Sequence, residues 1–136
     1  MASVVYPKYK EALLTGSTNI SLTTGTVKVI GIDTTDYTYS AAHDFLDDVA
    51  AGARVGTATL TNGKAVTSGV FDADDVTMTA VAGDEFEALI IYIDTGNEAT
   101  SRLVAYIDSG TGLPYTPSGG NITIAWDAGA NKIFAL

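Results

Sequence analysis

Apolar and polar positions change their rhythm along the chain, and that change divides it into elements. Val5, Tyr9, Ala12 and Leu13 fall at helical spacing and would share one face. Pro7 suits a first helical turn, where its missing N–H costs nothing, and Gly16 suits a left-handed cap. These signals predict a short helix from about Pro7 to Thr15, lying across an edge or one mouth of a sheet.

From Thr26 onward the rhythm is that of strands. Thr26 to Ile32 is apolar on both faces, and Gly31 within it reads as a bulge or a site of close packing. Arg54 to Leu60 and Lys64 to Gly69 flank Asn62-Gly63, a dipeptide suited to a two-residue hairpin turn because both turn positions need positive φ. Asp75 to Ala80 alternates, with Val76, Met78 and Ala80 on one face. Glu87 to Ile93 and Arg102 to Ile107 are apolar on both faces, the pattern of fully buried strands. Asn121 to Trp126 alternates again, placing Ile122, Ile124 and Trp126 inward. Asp127 to Gly129 reads as a turn and Asn131 to Phe134 as a last short strand.

Two connections stand apart. Between the first two strands Ser40 is positioned to cap a short helical turn over Ala41 to Asp48, with Phe45 and Leu46 inward. A structured connection of that length is more often functional than a short one. Gly110 to Gly120 carries Pro114 and Pro117 and reads as a loop. Short strands separated by turn signals predict an all-β fold, an antiparallel sandwich or partly open barrel. It would carry the short N-terminal helix and one short helical turn near residues 41–48, as a single β domain over residues 1–136.

Composition agrees. The length of 136 residues is one domain's worth, and 46% hydrophobic residues exclude a disordered chain. With 19 threonines and 14 glycines the bias is toward strands and turns. Seven Lys and Arg against 16 Asp and Glu give a net charge of −9, which repels phosphate backbones and anionic headgroups. The expected partners are therefore neither nucleic acid nor membrane, and a basic protein surface is compatible. The absence of cysteine removes disulfides, thiol catalysis and Cys-based zinc sites. No basic segment followed by an apolar core marks the N-terminus as a signal peptide, and no apolar run approaches the roughly 18 residues of a membrane span.

Candidate chemistry is sparse. His43 is the single histidine; beside Asp44 or Asp47 it could act as a general base, but a local capping or pairing role is preferred because acid–base work needs a second organised group. No G-x-S-x-G nucleophile context is present, and Gly63-Lys64 is followed by Ala65 where a phosphate cradle needs a hydroxyl. The acidic groups Asp72, Asp74, Asp75 and Asp44, Asp47, Asp48 lack EF-hand spacing and read as solvated turns. The expectation is a protein with no catalytic residues, no cofactor and no metal. Tyr37, Tyr39 and Tyr115 lie on loops, where tyrosine serves either as a contact residue or as packing over the rim of the fold.

The stretches YPKYKEALL, DYTYSAAHDFLDDV, GVFDADDVTMTAVAGD, EALIIYIDTG and SRLVAYIDSGTGLPYTPSGGNITIAWDAGANKIFAL resemble small virion proteins encoded by tailed bacteriophages and prophages, over nearly the whole chain. The resemblance implies an all-β virion structural protein, made in the bacterial host cytoplasm and resident on the capsid surface. Members of that group commonly carry no assigned role beyond virion component; the role expected here is capsid decoration (cement), with the major capsid protein as partner and a homotrimer as the assembly. The alternative is a tail or baseplate component that binds host-surface carbohydrate through Tyr37, Tyr39, Tyr115 or Trp126. Contacts are expected from the N-terminal segment, the Thr34–Asp48 loop and the Leu113–Ser118 loop, with Tyr6, Tyr37, Tyr39, His43, Pro114 and Tyr115 as interface residues.

Overall fold

A computed structural model of the chain describes residues 3–109, 112–126 and 132–136. The turn expected at Asp127 to Gly129 lies outside them. Among the described residues the fold is all-β. Its central layer is a five-stranded antiparallel sheet of β1 (Val4–Val5), β8 (Arg102–Ile107), β7 (Ala88–Asp94), β2 (Thr26–Ile32) and β3 (Arg54–Leu60), in that order. Two small antiparallel sheets accompany it. One is β10 (Phe134–Ala135), β5 (Val70–Asp72) and β4 (Ala65–Thr67); the other is β6 (Val76–Met78) with β9 (Ile122–Ile124). The arrangement is a sandwich and not a closed barrel. Among the described residues one α-helix, α1 (Pro7–Thr15), follows β1, starts at Pro7 and ends at Gly16 in the left-handed region, as the sequence pattern predicts.

Burial explains why β7 and β8 read as continuous apolar runs. From Ala88 to Ile93 every residue of β7 is buried, and so is every residue of β8 from Leu103 to Ile107. Both faces of the central sheet are therefore covered. Directly opposed residues of an antiparallel pair share a face. One face carries Val29, Ile91 and Ala105 together, the other Ile30, Ile90 and Tyr106. The first face lies toward Phe86, Ile133 and Phe134. The second lies beneath the connection of residues 33–53, whose Tyr37 and Tyr39 rings sit 6.2 and 5.5 Å from the Tyr106 ring.

Three local expectations change. The β2–β3 pairing slips between Ile30 and Gly31, but the extra residue is Gly56 on β3, at φ 73°. Gly31 is the close-packing site: a Cβ there would meet the Val55 carbonyl and come within 2.7 Å of the Phe86 ring. Asn62-Gly63 does not close a hairpin, because β3 and β4 belong to different sheets. The hairpin turn is Ser68-Gly69 between β4 and β5, with φ of 52° and 78°, both positive as a type I′ turn requires. Ala80 leaves its strand pattern, exposed and at φ 51°.

The helical turn expected near residues 41–48 shrinks to a 3-10 turn at Leu46–Asp48. The backbone before it is drawn into strand-like pairing instead. Leu103 N–H donates to the Asp44 carbonyl at 3.0 Å, Leu46 N–H donates to the Ser101 carbonyl at 2.8 Å, and Phe45 bridges Arg102. Leu46 is buried and Phe45 half-buried, its ring beneath the Arg102 guanidinium at 4.9 Å. No described helix is long and apolar enough to cross a membrane.

Candidate functional site

The long connection between β2 and β3 organises the most distinctive polar arrangement of the molecule. Asp33 starts it: one carboxylate oxygen accepts from Thr35 N–H at 2.9 Å and from the Thr35 hydroxyl at 2.6 Å. These bonds hold the Asp33 carboxyl below its ordinary value. Tyr37 N–H then donates to the Asp33 carbonyl at 3.2 Å, turning the Tyr37 ring down onto the sheet. There the Tyr37 hydroxyl lies 2.8 Å from the Tyr6 hydroxyl and 2.8 Å from His43 Nδ1. The geometry is satisfied when Tyr6 donates to Tyr37 and Tyr37 donates to His43 Nδ1. Tyr39 completes the cluster, 5.3 Å from the Tyr6 ring.

Burial decides what this cluster can do. Tyr6 is 0% exposed and Tyr37 5% exposed. The expectation that these two contact a partner directly is corrected: they pack the core and tie the connection to β1. Burial first, and then the Tyr37 hydroxyl, push the Tyr6 phenol up; burial pushes Tyr37 up to about 12. Both are thus neutral phenols at neutral pH. His43 and Tyr39 are half-buried and reach the surface. The Asp48 carboxylate engages the Asp44 backbone: Asp48 Oδ2 accepts from Asp44 N–H at 2.8 Å. Burial and then the Asp48 charge push the Asp44 carboxyl up.

Arg54 clamps this connection from below. Its guanidinium donates to the Leu46 carbonyl at 2.9 Å and, from Nε, to the Val49 carbonyl at 3.0 Å. It also pairs with both oxygens of Glu98, at 3.0 and 2.8 Å. Such a fork holds two loops in one geometry.

Pro114 and Tyr115 lie away from the cluster. The Leu113–Pro114 peptide is cis, and Tyr115 exchanges backbone hydrogen bonds of 3.0 Å with Phe86. Its ring packs 5.3 Å from Phe86, and its hydroxyl donates to the Thr123 carbonyl at 3.4 Å. Trp126, expected inward, is only half-buried; its indole N–H donates to the Asp74 carbonyl at 3.2 Å. The Trp126 amide donates to Asp75 Oδ1 at 2.9 Å, so that carboxylate serves the backbone.

Two features escaped the sequence reading. Asp33, Asp36 and Asp84 bring one carboxylate oxygen each within 4.8 Å of one another. Asp33 and Asp36 are close in sequence, but nothing local announces Asp84. Counted at one oxygen per residue, they offer a hard cation three of the six to eight oxygens that calcium takes. The second feature is an apolar groove of about 510 Å³ lined by Leu13, Ile20, Leu22, Val66, Phe71 and Phe134 among others. Of the three exposed large hydrophobic residues among the described ones, Val66 at 52% and Leu136 at 61% line it, whereas Leu14 at 89% does not. The Leu13-Leu14 pair was the available signal, since a helix can turn only one of two adjacent leucines inward.

Comparison with known protein families and with curated proteins finds no match to this chain.

Proposed function

We propose that the protein is a non-catalytic structural component of a tailed-phage virion that decorates the head. In this reading it binds the outer surface of the major capsid shell as a homotrimer and stabilises the assembled state by mass action. The observation that carries the reading is the apolar groove lined in part by exposed Val66 and Leu136. Contiguous exposed apolar surface on a strongly acidic chain is a protein-docking feature. The sequence resemblance to tailed-phage virion proteins supplies the identity of the partner.

The test is direct. Purified protein, mixed with undecorated heads of its own phage, should co-sediment with them and raise their resistance to heat. Val66→Asp should weaken binding by more than about tenfold, because a carboxylate would be buried unpaired. Heads that neither bind the protein nor gain resistance would overturn the proposal.

The second reading is a tail or baseplate module that binds host-surface carbohydrate. It draws on Tyr115 and Trp126, two half-exposed rings, the first bonded to β9 and the second just beyond its end. Binding to a glycan array that vanishes with Tyr115→Ala would favour it over decoration.

A further inference from the structure

The Asn62-Gly63 dipeptide closes no hairpin, yet the fold requires a glycine there. Gly63 has φ 67°, and a Cβ at that position would run into the Asp74 carboxylate. The preceding asparagine has unusual freedom. Asn62 and Gly63 are both exposed. The Asn62 carbonyl accepts from Asp74 N–H at 3.0 Å, which anchors the backbone, while the Asn62 side chain makes no hydrogen bond within the described residues. The Gly63 N–H likewise has no partner among them.

The other described asparagines differ on both counts. Asn19 Nδ2 donates to the Thr100 carbonyl at 3.5 Å and precedes Ile20. Asn97 Oδ1 accepts from Ala99 N–H at 3.0 Å and precedes Glu98. Asn121 Oδ1 accepts from Ala80 N–H at 3.0 Å and precedes Ile122. Each has its amide held and a bulky neighbour shielding the next nitrogen.

We propose that Asn62 is a site of spontaneous backbone-assisted deamidation in the folded protein. The Gly63 amide nitrogen loses its proton to solvent and attacks Asn62 Cγ. A Gly63 N–Cγ bond forms, the Cγ–Nδ2 bond breaks, and the amide nitrogen leaves as ammonia. Water then opens the resulting succinimide at either carbonyl, giving aspartate or isoaspartate at position 62. Glycine permits this because no side chain blocks the approach to its nitrogen. Asparagine is among the chemically labile residues that heat-adapted proteins avoid.

The product adds a negative charge beside Asp74 and Asp75, and the isoaspartate form inserts a methylene into the backbone between β3 and β4. That is the point where the chain leaves the five-stranded sheet for the three-stranded one.

The experiment is ageing of the purified folded protein in mildly alkaline buffer, followed by peptide mass spectrometry and chromatographic separation of the isomers. Asn62 should gain one mass unit at least about tenfold faster than Asn19, Asn97 or Asn121, a barrier lower by about 1.4 kcal/mol. Asn62→Gln, which would have to form a larger ring, should remove the fast signal while the protein stays folded by circular dichroism. Conversion of Asn62 no faster than that of Asn97 would overturn the proposal.

Discussion

The Tyr37 hydroxyl is the residue-scale keystone, since it touches Tyr6 on one side and His43 on the other. Tyr37→Phe would leave the Tyr6 hydroxyl, 0% exposed, with no partner in the described structure. An orphaned buried hydroxyl costs about 1–3 kcal/mol. Tyr39→Phe removes a hydroxyl that makes no hydrogen bond there and should fall within about 0.5 kcal/mol of the parent. Urea denaturation of the two variants checks the contrast; equal midpoints would mean that the cluster holds by ring packing alone. Sequence reading singled out these tyrosines but could not say which faced water. Loop position favours exposure, and only the packing of Tyr37 and Tyr39 on Tyr106 reverses it. Gly31 shows the same limit. Its glycine identity announced a special position, but the bulge falls on Gly56, and which of two paired strands carries an extra residue depends on register.

At the scale of elements, the connection over residues 33–53 behaves as a cover on one sheet face, and Arg54 is its clamp. Arg54→Ala should free the Leu46 and Val49 carbonyls and destabilise the protein by about 1–3 kcal/mol. Amide hydrogen exchange should then quicken in residues 44–49 before it does in β7. Glu98→Ala should cost less than Arg54→Ala does, because that carboxylate is 57% exposed and its ion pair is screened by solvent. Exchange that rises uniformly across the chain in Arg54→Ala would mean that the connection is part of the main cooperative unit. The helix and the long strands were legible in the sequence because each carries a strong period or cap. The hairpin was not. Asn-Gly is the stronger turn dipeptide by composition, yet Ser68-Gly69 took the turn. Lys64 Nζ reaches the Gly25 carbonyl at 2.8 Å and Asp74 N–H holds Asn62, so the chain turns away at Gly63 to start a second layer. The groove was hidden for a related reason, because α1, β5 and β10 meet only in three dimensions.

For the whole molecule, charge and burial bound the pH range of the fold from both sides. Asp33 is held down by Thr35, Asp94 by the Lys28 ammonium and Glu98 by the Arg54 guanidinium. Each adds stability above its unfolded value, about 3.9 for Asp and about 4.3 for Glu, and that stability is lost as pH falls through the lower folded value. Asp44, pushed up, works in the opposite sense, favouring the fold when protonated. Three against one, the melting temperature should drop between about pH 5 and about pH 3. On the alkaline side Tyr9 and Tyr37 are pushed up to about 12 and Tyr6 further. Their stabilisation is complete below the unfolded tyrosine value of about 10 and lost as pH rises above it. Phenolate absorbance of these tyrosines should therefore appear together with loss of the β-sheet circular dichroism signal; phenolate formation in a fully folded chain would contradict the burial. The sheet order carries one more consequence. Val4 of β1 pairs with Tyr106 of β8, so an early-synthesised strand docks on a late one. While the ribosome is still making the middle of the chain, the outer edge of the central sheet has nothing to pair with. Closing it brings together residues about 100 positions apart, a non-local step of the kind that slows folding to the millisecond-to-second range. Nascent chains stopped before β8 emerges should leave Val4 and Val5 open to protease, and release of the complete chain should seal them.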